Sequence, residues 1–441
     1  MTKRQRTAKR AGEITTPDFW DRFVRDTWGR KPALFKNVLG SPICVPQDLF
    51  DVLRVSADRV RADSKKVFLR FYGDQFNMQV REDFEAVLPR DGDVGFGDYE
   101  QRVTRTLGSH EWGYALNNIH AYSPTLWSAG RELMHGLFSR IGLPGGNVAC
   151  ESFIGPYSST SFGIHKDFLH VFTFPVLGEK TTLLWPYETL DSLLGLKGKE
   201  EDNLQIVNTP FRSGVPGKEK PIELRAGVGD MTYWPPQYWH IARGHGDMNA
   251  TVIFSVGAAS DALSWATKHA ETSKSMQLRP SPRRTRPGSH AAPHLKLIAR
   301  ATAKYVKALQ SPKLAATLSD LLDKRASAYG FETPVEPLEG AEVQLTDTVE
   351  MDARFPIITR ASGDAMDCFI NGHVATLTPP KTMRKLMNHL NTGGRFSVER
   401  LCTLACTWLD AEGWASDSKY ILQVLSACVA FRALTICTEA P

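Results

Sequence analysis

The part of the chain that most constrains its fold runs from residue 147 to about 257, where short runs of β-branched and aromatic residues are separated by Gly and Pro turns. This pattern is typical of an antiparallel jelly roll and not of a βαβ fold. A polar insertion at 188–202, with a short helix at 189–196, is expected over the mouth of the barrel. The predicted strands are ACESFIG, GIHKDFLHVFTFPVL, KTTLLWP, LQIVN, PIELRAG, DMTYWPP and ATVIFSVGAA.

Two candidate metal ligands, His165 and Asp167, occur two positions apart in the second of these strands. Side chains two apart on a strand point to the same face, so an imidazole and a carboxylate placed in this way can share one metal ion. We pair them with His240, which follows the strand-like MTYW and a Pro-Pro turn. Two histidines and one carboxylate suit Fe(II), because they leave three positions for a bidentate co-substrate and dioxygen.

Other residues near these motifs have alternative interpretations. His245 also follows the Pro-Pro turn and is the rival third ligand, whereas His170 is expected on the opposite face of the strand. Trp234, Tyr238 and Trp239 fit either a substrate groove or the core, because aromatic residues at strand spacing are found in both.

The H-x-D motif, with Gly163 two positions before its histidine, the strand VFTFPVLGEK and the distant His240 resemble the JmjC/cupin-type 2-oxoglutarate oxygenases. Within them the chain is most similar to the bacterial ribosomal-oxygenase branch of protein hydroxylases. The stretch DFWDRFVRDTWGRKPALFKNVL resembles the opening helix, turn and first strand of that branch. The order of the later regions also matches it, so the resemblance covers most of the chain.

This resemblance implies a co-substrate site. In that branch a basic residue thirteen positions after the Asp holds the distal carboxylate of 2-oxoglutarate, and this position is Lys180 here. A lysine supplies the positive charge without the bidentate fork of arginine. We place three further polar residues in the co-substrate pocket: Thr160, Ser158 and Asn118.

The implied function is that of an Fe(II)/2-oxoglutarate-dependent dioxygenase, which uses dioxygen to hydroxylate an amino-acid side chain and converts 2-oxoglutarate to succinate. The expected substrate is a ribosomal protein or a peptide natural-product precursor. One alternative keeps the site and changes the reaction to JmjC-type N-methyl-lysine demethylation. Another, from a different class, is a non-enzymatic cupin and winged-helix protein that binds nucleic acid.

The whole chain is predicted to contain five regions. They are a basic disordered tail at 1–13, a mostly β, cupin-like oxygenase domain with flanking helices at 14–265, a linker at 266–294, a helical region at 295–332 and a winged-helix-like α+β domain at 342–441. The resemblance favours dimerisation through the helical region. In the last region, Asn371-Gly372 predicts a hairpin, Ser397 a helix cap, and residues 420–435 a third helix.

Composition limits the number of domains and the cellular environment that the chain is expected to have. With 441 residues, 42% of them hydrophobic and a net charge of +5, the chain is expected to form two or three globular domains. No long apolar run or secretory signal is recognisable, and seven cysteines without a C-x-x-C pair favour a reducing, cytoplasmic environment. Basic clusters at 3–10 and 279–286 fit either contact with a ribonucleoprotein or a solvated tail.

Overall fold

The computed structural model describes residues 13–63, 69–73, 76–79, 85–160, 163–167, 169–193, 205–206, 220–257, 306–307, 310 and 312–437. The chain divides into two compact units. The first consists of Met1–Ala258 with Tyr329–Glu339, and the second of Ala259–Ala328 with Gly340–Pro441. No helix among the described residues is long and apolar enough to cross a membrane.

The first unit is mostly β, with helices at its periphery. Its helices are α1 (Pro17–Asp26), α2 (Pro46–Ala62), α3 (Phe96–Leu107), α4 (Pro124–Ile141) and α5 (Tyr187–Leu193). Its strands are β1 (Ala33–Phe35), β2 (Leu69–Gly73), β3 (Phe76–Gln79), β4 (Trp112–Asn117), β5 (Val148–Gly155), β6 (Ile164–His165), β7 (Leu169–Leu177), β8 (Lys180–Pro186), β9 (Gln205–Ile206), β10 (Ile222–Ala226), β11 (Met231–Trp234), β12 (Tyr238–Arg243) and β13 (Asn249–Gly257).

These strands form two antiparallel sheets. The larger has the order β1-β11-β7-β13-β5-β4-β2-β3, and the smaller has the order β10-β8-β12-β6-β9. The crossed order and the antiparallel pairing are consistent with the predicted cupin-like jelly-roll core. The long β7–β13 pair shifts register between Ala250 and Thr251, where β7 carries Pro175. Proline has no N–H for the ladder, so a bulge at this point is the expected accommodation.

Helix α1 closes the outer face of the larger sheet. The Thr16 hydroxyl caps it by accepting a hydrogen bond from the Phe19 N–H. Phe23, on its buried face, has its ring centroid 4.9 Å from that of Tyr233 on β11 and 5.7 Å from that of Phe172 on β7. Full burial of a side chain of this size contributes roughly 2 kcal/mol. The aromatic face of α1 therefore packs against β7 and β11 of the larger sheet.

Three details of the first unit differ from the sequence predictions. The strand predicted through residues 163–177 is broken: β6 ends at His165, β7 begins at Leu169, and Asp167 lies between them. The strand β12, which follows the Pro-Pro turn and carries His240, was not predicted. The first strand does not continue to the end of the stretch DFWDRFVRDTWGRKPALFKNVL, because the chain turns after Phe35 and Asn37 has a positive φ of 51°.

The second unit mixes helices with two three-stranded sheets. Its helices are α6 (Pro312–Ser327), α7 (Pro380–Leu390), α8 (Val398–Ala411) and α9 (Ser418–Ala430). Its strands are β14 (Thr348–Met351), β15 (Ile358–Ser362), β16 (Ala365–Ile370), β17 (His373–Leu377), β18 (Gly394–Ser397) and β19 (Leu434–Ile436), in the orders β18-β14-β19 and β15-β16-β17.

Local predictions for the second unit are partly confirmed. Asn371 and Gly372, with φ of 49° and 88°, form the turn between β16 and β17, as two positive φ values in a two-residue hairpin loop require. Ser397 caps α8 by accepting from the Arg400 N–H. The third helix was predicted too long: α9 ends at Ala430, Arg432 has a positive φ of 62°, and β19 pairs with β14. Residues 295–305 of the helical region predicted at 295–332 lie outside the described residues.

Candidate metal and co-substrate site

Three potential metal ligands converge between the two sheets. His240 on β12 pairs directly with His165, the last residue of β6, and Asp167 follows two residues later. The Asp167 Oδ2 atom lies 3.5 Å from His165 Nε2 and 3.6 Å from His240 Nε2. One ligand atom from each of the three residues lies within 4.8 Å of the others. One imidazole from each of two paired strands and one carboxylate from the strand break thus face a common point.

Backbone carbonyls orient both imidazoles. His165 Nδ1 is 3.1 Å from the Gly163 carbonyl oxygen, and His240 Nδ1 is 3.4 Å from that of Tyr238. A carbonyl only accepts, so each Nδ1 carries the proton and donates, and each Nε2 keeps its lone pair for a metal. Gly163 adopts a positive φ of 66°, which a residue without a side chain allows in the turn that presents His165.

The protonation states of Asp167 and His240 also favour metal binding. Burial alone would raise the pKa of Asp167, but the hydrogen bond and charge of His165 hold it at about 2. Burial, with the neighbouring His165, lowers the pKa of His240 to about 3. Burial disfavours the charged form of His165 too, yet the adjacent Asp167 carboxylate outweighs it and raises that pKa. At neutral pH the site therefore offers an ionised carboxylate and a neutral His240 imidazole, the forms that bind metals.

The triad opens into a cavity between the sheets. Apolar side chains from β5, β7, β11, β12 and β13 share its wall with polar and charged side chains. The lining residues are Glu151, Phe153, Thr160, His165, Asp167, Leu169, Val171, Thr173, Lys180, Trp234, His240, Ala242, Ile253 and Ser255.

Lys180 brings a buried positive charge to this cavity. Its side chain is 3% exposed, and its Nζ lies 3.1 Å from the Tyr157 hydroxyl and 4.7 Å from the centroid of the Phe153 ring. Burial lowers the pKa of Lys180 to about 7. On β8 the residue paired with His240 is Leu184, four positions from Lys180, so the backbone of Lys180 lies about 13 Å along the strand from the metal ligands.

The three weaker co-substrate predictions have different outcomes. Thr160 lines the cavity, with its hydroxyl 3.5 Å from the Ala242 carbonyl oxygen. Ser158 is exposed and hydrogen-bonds to the Glu111 carboxylate, and the cavity wall does not include it. Asn118 precedes a short 3₁₀ helix with a positive φ of 57° and is likewise not part of the wall. The structure thus brings Thr160 to the cavity and leaves Ser158 and Asn118 outside it.

The alternative ligands lie apart from the triad. His245 is exposed and hydrogen-bonds to the Thr181 hydroxyl. His170 points away from the cavity, stacks on Trp28 with a centroid distance of 3.8 Å and hydrogen-bonds to the Tyr233 hydroxyl. Of the three aromatic residues with two interpretations, Trp234 lines the cavity, Trp239 belongs to a buried cluster on the smaller sheet, and Tyr238 is half-buried.

Sequence reasoning missed two polar residues here. Tyr157 contacts Lys180 from the loop after β5, and no local motif signals a contact across 23 positions. Glu151 on β5 alternates with buried residues, so its carboxylate faces the cavity instead of solvent. Burial and then the nearby Asp167 raise the pKa of Glu151 to about 7. An acidic residue inside a predicted strand of mostly apolar residues was the available signal for Glu151.

Comparisons with known proteins give structural matches only. No protein-family model and no curated protein sequence matches the chain. The structure is similar to that of Escherichia coli YcfD, with a TM-score of 0.50 and 14% identity over 95% of this chain and 98% of that one. Another structure of YcfD, there called a ribosomal oxygenase, gives a TM-score of 0.46 and 14% identity over 95% and 97% of the two chains.

A third YcfD structure, in complex with cobalt and 2-oxoglutarate, gives a TM-score of 0.45 at 14% identity over 95% of this chain and 98% of that one. Such low identity establishes fold and not activity. The chain has the fold of YcfD over nearly its whole length. The sequence motifs resemble the ribosomal oxygenases, and YcfD, found here by structure, is called a ribosomal oxygenase.

Proposed function

We propose that this protein is an Fe(II)/2-oxoglutarate-dependent dioxygenase that hydroxylates an amino-acid side chain in a protein or peptide substrate. The observation that carries this proposal is the meeting of His165, Asp167 and His240 in one cavity that also holds the buried amine of Lys180. The fold shared with YcfD is consistent with it.

The residues fit the metal that this function requires. Two imidazole Nε2 atoms and one carboxylate oxygen converge, and each imidazole is fixed by a carbonyl behind it. Such a set suits Fe(II) and leaves coordination positions open. When bound with 2-oxoglutarate and dioxygen, the iron supplies the oxidising power to hydroxylate an unactivated C–H bond, and 2-oxoglutarate is decarboxylated to succinate.

The protein residues contribute binding and exclusion of water. Lys180 forms a charge-assisted hydrogen bond to the distal carboxylate of 2-oxoglutarate, while the metal ligands lie farther along the strands. The apolar side chains of Leu169, Val171 and Ile253 limit water around the reacting atoms. Trp234, whose ring centroid is 5.1 Å from that of His240, restricts the space beside the metal.

The finer proposals concern the substrate and the assembly. A ribosomal protein is the favoured substrate because YcfD is a ribosomal oxygenase, and a peptide natural-product precursor is the alternative. The C-terminal unit is proposed to be winged-helix-like and, with the helical region before it, to mediate a cytoplasmic homodimer. The basic segments at 3–10 and 279–286 are proposed to contact a ribonucleoprotein substrate.

An anaerobic titration tests the proposal. The intact protein, His165→Ala, Lys180→Ala and the exposed-histidine control His245→Ala are loaded with Fe(II) and 2-oxoglutarate, and the visible charge-transfer band is recorded. We expect a band in the intact protein and the control, none in His165→Ala, and a much higher 2-oxoglutarate requirement in Lys180→Ala.

Succinate release is then followed after oxygen is admitted, with ribosomal-protein and methyl-lysine peptides as substrates. A peptide mass increase of one oxygen atom supports hydroxylation, whereas formaldehyde release supports the demethylase alternative. Absence of both the band and succinate contradicts the enzymatic proposals and favours the nucleic-acid-binding alternative, whose affinity would fall steeply with salt.

A further inference from the structure

The surroundings of Lys180 are unusual for a buried lysine. Its Nζ contacts the Tyr157 hydroxyl at 3.1 Å and lies near the faces of the Phe153 and Tyr157 rings, with centroid distances of 4.7 and 5.6 Å. Within the described part of the chain, no carboxylate forms an ion pair with it. A buried ammonium without a counter-charge is costly, so such a lysine tends to be neutral until an anion arrives.

Among the described residues, none of the other titratable groups around the cavity forms an ion pair with Lys180. Tyr157 is the one that contacts Nζ, and burial raises its pKa, so the phenol stays neutral. Tyr72 lies behind Tyr157, and burial raises its pKa too. Glu179 is next in sequence but exposed, and it pairs with Arg225. The remaining titratable residues of the cavity wall belong to β5, β6, the β6–β7 connection and β12: Glu151, His165, Asp167 and His240.

Burial is the sole influence that shifts the pKa of Lys180, to about 7. The strands β7, β11 and β13 contribute uncharged residues to the wall of the cavity. The amine is therefore poised between its neutral and charged forms near neutral pH, and a carboxylate bound beside it would favour the charged form.

We propose that Lys180 and Tyr157 form a proton-linked carboxylate-binding pair, in which Lys180 takes up a proton when the distal carboxylate of 2-oxoglutarate binds and Tyr157 is the positioning residue that holds Nζ. This inference rests on the proposed function. The proton comes from solvent, and the neutral amine becomes an ammonium that donates to the carboxylate.

The chemistry of the phenol explains why tyrosine suits this position. A hydroxyl both donates and accepts, whereas a carboxylate only accepts when ionised and a phenylalanine does neither. The Tyr157 O–H donates to the lone pair of the neutral amine, and its oxygen accepts from the ammonium after the proton is taken up. The Tyr157 hydroxyl can therefore hydrogen-bond to both the neutral and the charged form of Lys180. Its ring keeps Nζ at the cavity.

Calorimetry of ligand binding tests the proton link without turnover. Protein saturated with Mn(II), so that the metal ligands are already deprotonated, is titrated anaerobically with 2-oxoglutarate and with succinate. The experiment is done about one pH unit above the pKa of Lys180, which is about 7, in buffers with different ionisation enthalpies. The dependence of the heat on the buffer gives the number of protons taken up, and we expect clear uptake that approaches one proton per 2-oxoglutarate as the pH is raised above the pKa of Lys180.

Two variants separate the roles of the pair. Lys180→Arg carries a permanent charge, so it should bind 2-oxoglutarate with proton uptake near zero. Tyr157→Phe keeps the ring and loses the hydroxyl, so we expect about 10-fold weaker binding with proton uptake retained. Glu179→Gln, a change at an exposed residue beside Lys180, should alter neither quantity.

Each result has a defined meaning. Binding of 2-oxoglutarate by the intact protein without proton uptake overturns the proton link and leaves the proposed function intact. Unchanged affinity in Tyr157→Phe overturns the positioning role of Tyr157. If the Mn(II)-loaded intact protein binds neither ligand, both this inference and the proposed function are contradicted.

Discussion

The two units differ in the buried polar groups that they hold. The cavity of the first unit holds the amine of Lys180, the imidazole of His240 and the carboxylate of Glu151, and among the described residues no ion pair neutralises Lys180 or Glu151. In the second unit, the buried Thr382 donates to Glu412 and the buried Asn371 donates to the Phe431 carbonyl.

This difference suggests that the buried polar groups of the first unit serve ligand binding, whereas the core of the second unit serves stability. A buried group that lacks a counter-charge costs free energy, and such groups are retained where a ligand completes them. The core cluster of the second unit consists of apolar residues and thiols, such as Leu386, Met387 and Cys428, and its packing adds stability. Substitutions in the first cavity should therefore alter ligand binding, and substitutions in the second core should alter folding.

The largest effect is expected for His240→Ala. Loss of one of three metal ligands should weaken Mn(II) or Fe(II) binding on the order of 1,000-fold, more than the loss of an outer-shell partner. Anaerobic calorimetry measures the affinity, with His245→Ala as the matched exposed histidine. The metal-free variant should unfold at nearly the same urea concentration as the intact protein. Equal metal affinity in the two variants would remove His240 from the site.

A core truncation in the second unit should lower stability and leave metal binding unchanged, the reverse of the result expected for His240→Ala. Leu386 on α7 is 0% exposed, so Leu386→Ala should destabilise this unit by about 3 kcal/mol through lost contacts and a cavity. Hydrogen exchange should accelerate in α7, α8 and α9, while Mn(II) affinity in the first unit stays the same. Val374→Ala, at a residue 40% exposed, is the control and should change little. A fall in metal affinity with Leu386→Ala would mean that the two interiors are coupled.

Much of the fold follows from local sequence patterns. The apolar run VFTFPVL forms β7, Asn371-Gly372 forms the hairpin turn, and Thr16 and Ser397 cap their helices. These features depend on neighbours in sequence, so periodicity and turn chemistry suffice to predict them. The strand β12 also had a signal, since YWHIAR is rich in β-favouring residues, but the Pro-Pro turn before it hid the strand.

The rest of the site depends on contacts between distant residues. The sequence proposed His165, Asp167, His240, Lys180 and Thr160 for one site, and all five line one cavity. The break between β6 and β7 was not apparent, because HKDFLHVF is compatible with an unbroken strand. Tyr157 and Glu151 acquire their environments only when β5, β8 and the strands around them close the cavity.

A smaller, pH-dependent effect is expected for Glu151→Gln in metal-free protein. The pKa of Glu151 in the folded state, about 7, exceeds its ordinary value of 4.5. Its contribution to stability is fully present below 4.5 and is lost as the pH rises through about 7. Above that pH, removing the carboxylate should stabilise the protein by about 2 kcal/mol, a value discounted because the side chain is partly open to the cavity.

Urea unfolding of the intact protein and Glu151→Gln at about pH 5 and about pH 8 measures this effect. The gain should appear at the higher pH and shrink when Mn(II) is bound, because the cation stabilises a nearby carboxylate. A gain of equal size at both pH values would mean that it comes from packing and not from charge.

The smallest effect is expected at the cap of α8 in the second unit. The Ser397 hydroxyl accepts from the Arg400 N–H, and Ser397→Ala leaves this donor without its side-chain partner at a cost of about 1 kcal/mol. Ser397→Asp restores an acceptor and adds a negative charge at the helix N-terminus, so it should recover the loss. Hydrogen exchange of the first turn of α8 measures both variants. The cap makes no contribution to the cavity of the first unit. The Mn(II) and 2-oxoglutarate affinities of both variants should therefore equal those of the intact protein. A change in either affinity would contradict the assignment of binding to the first unit and of this cap to stability alone.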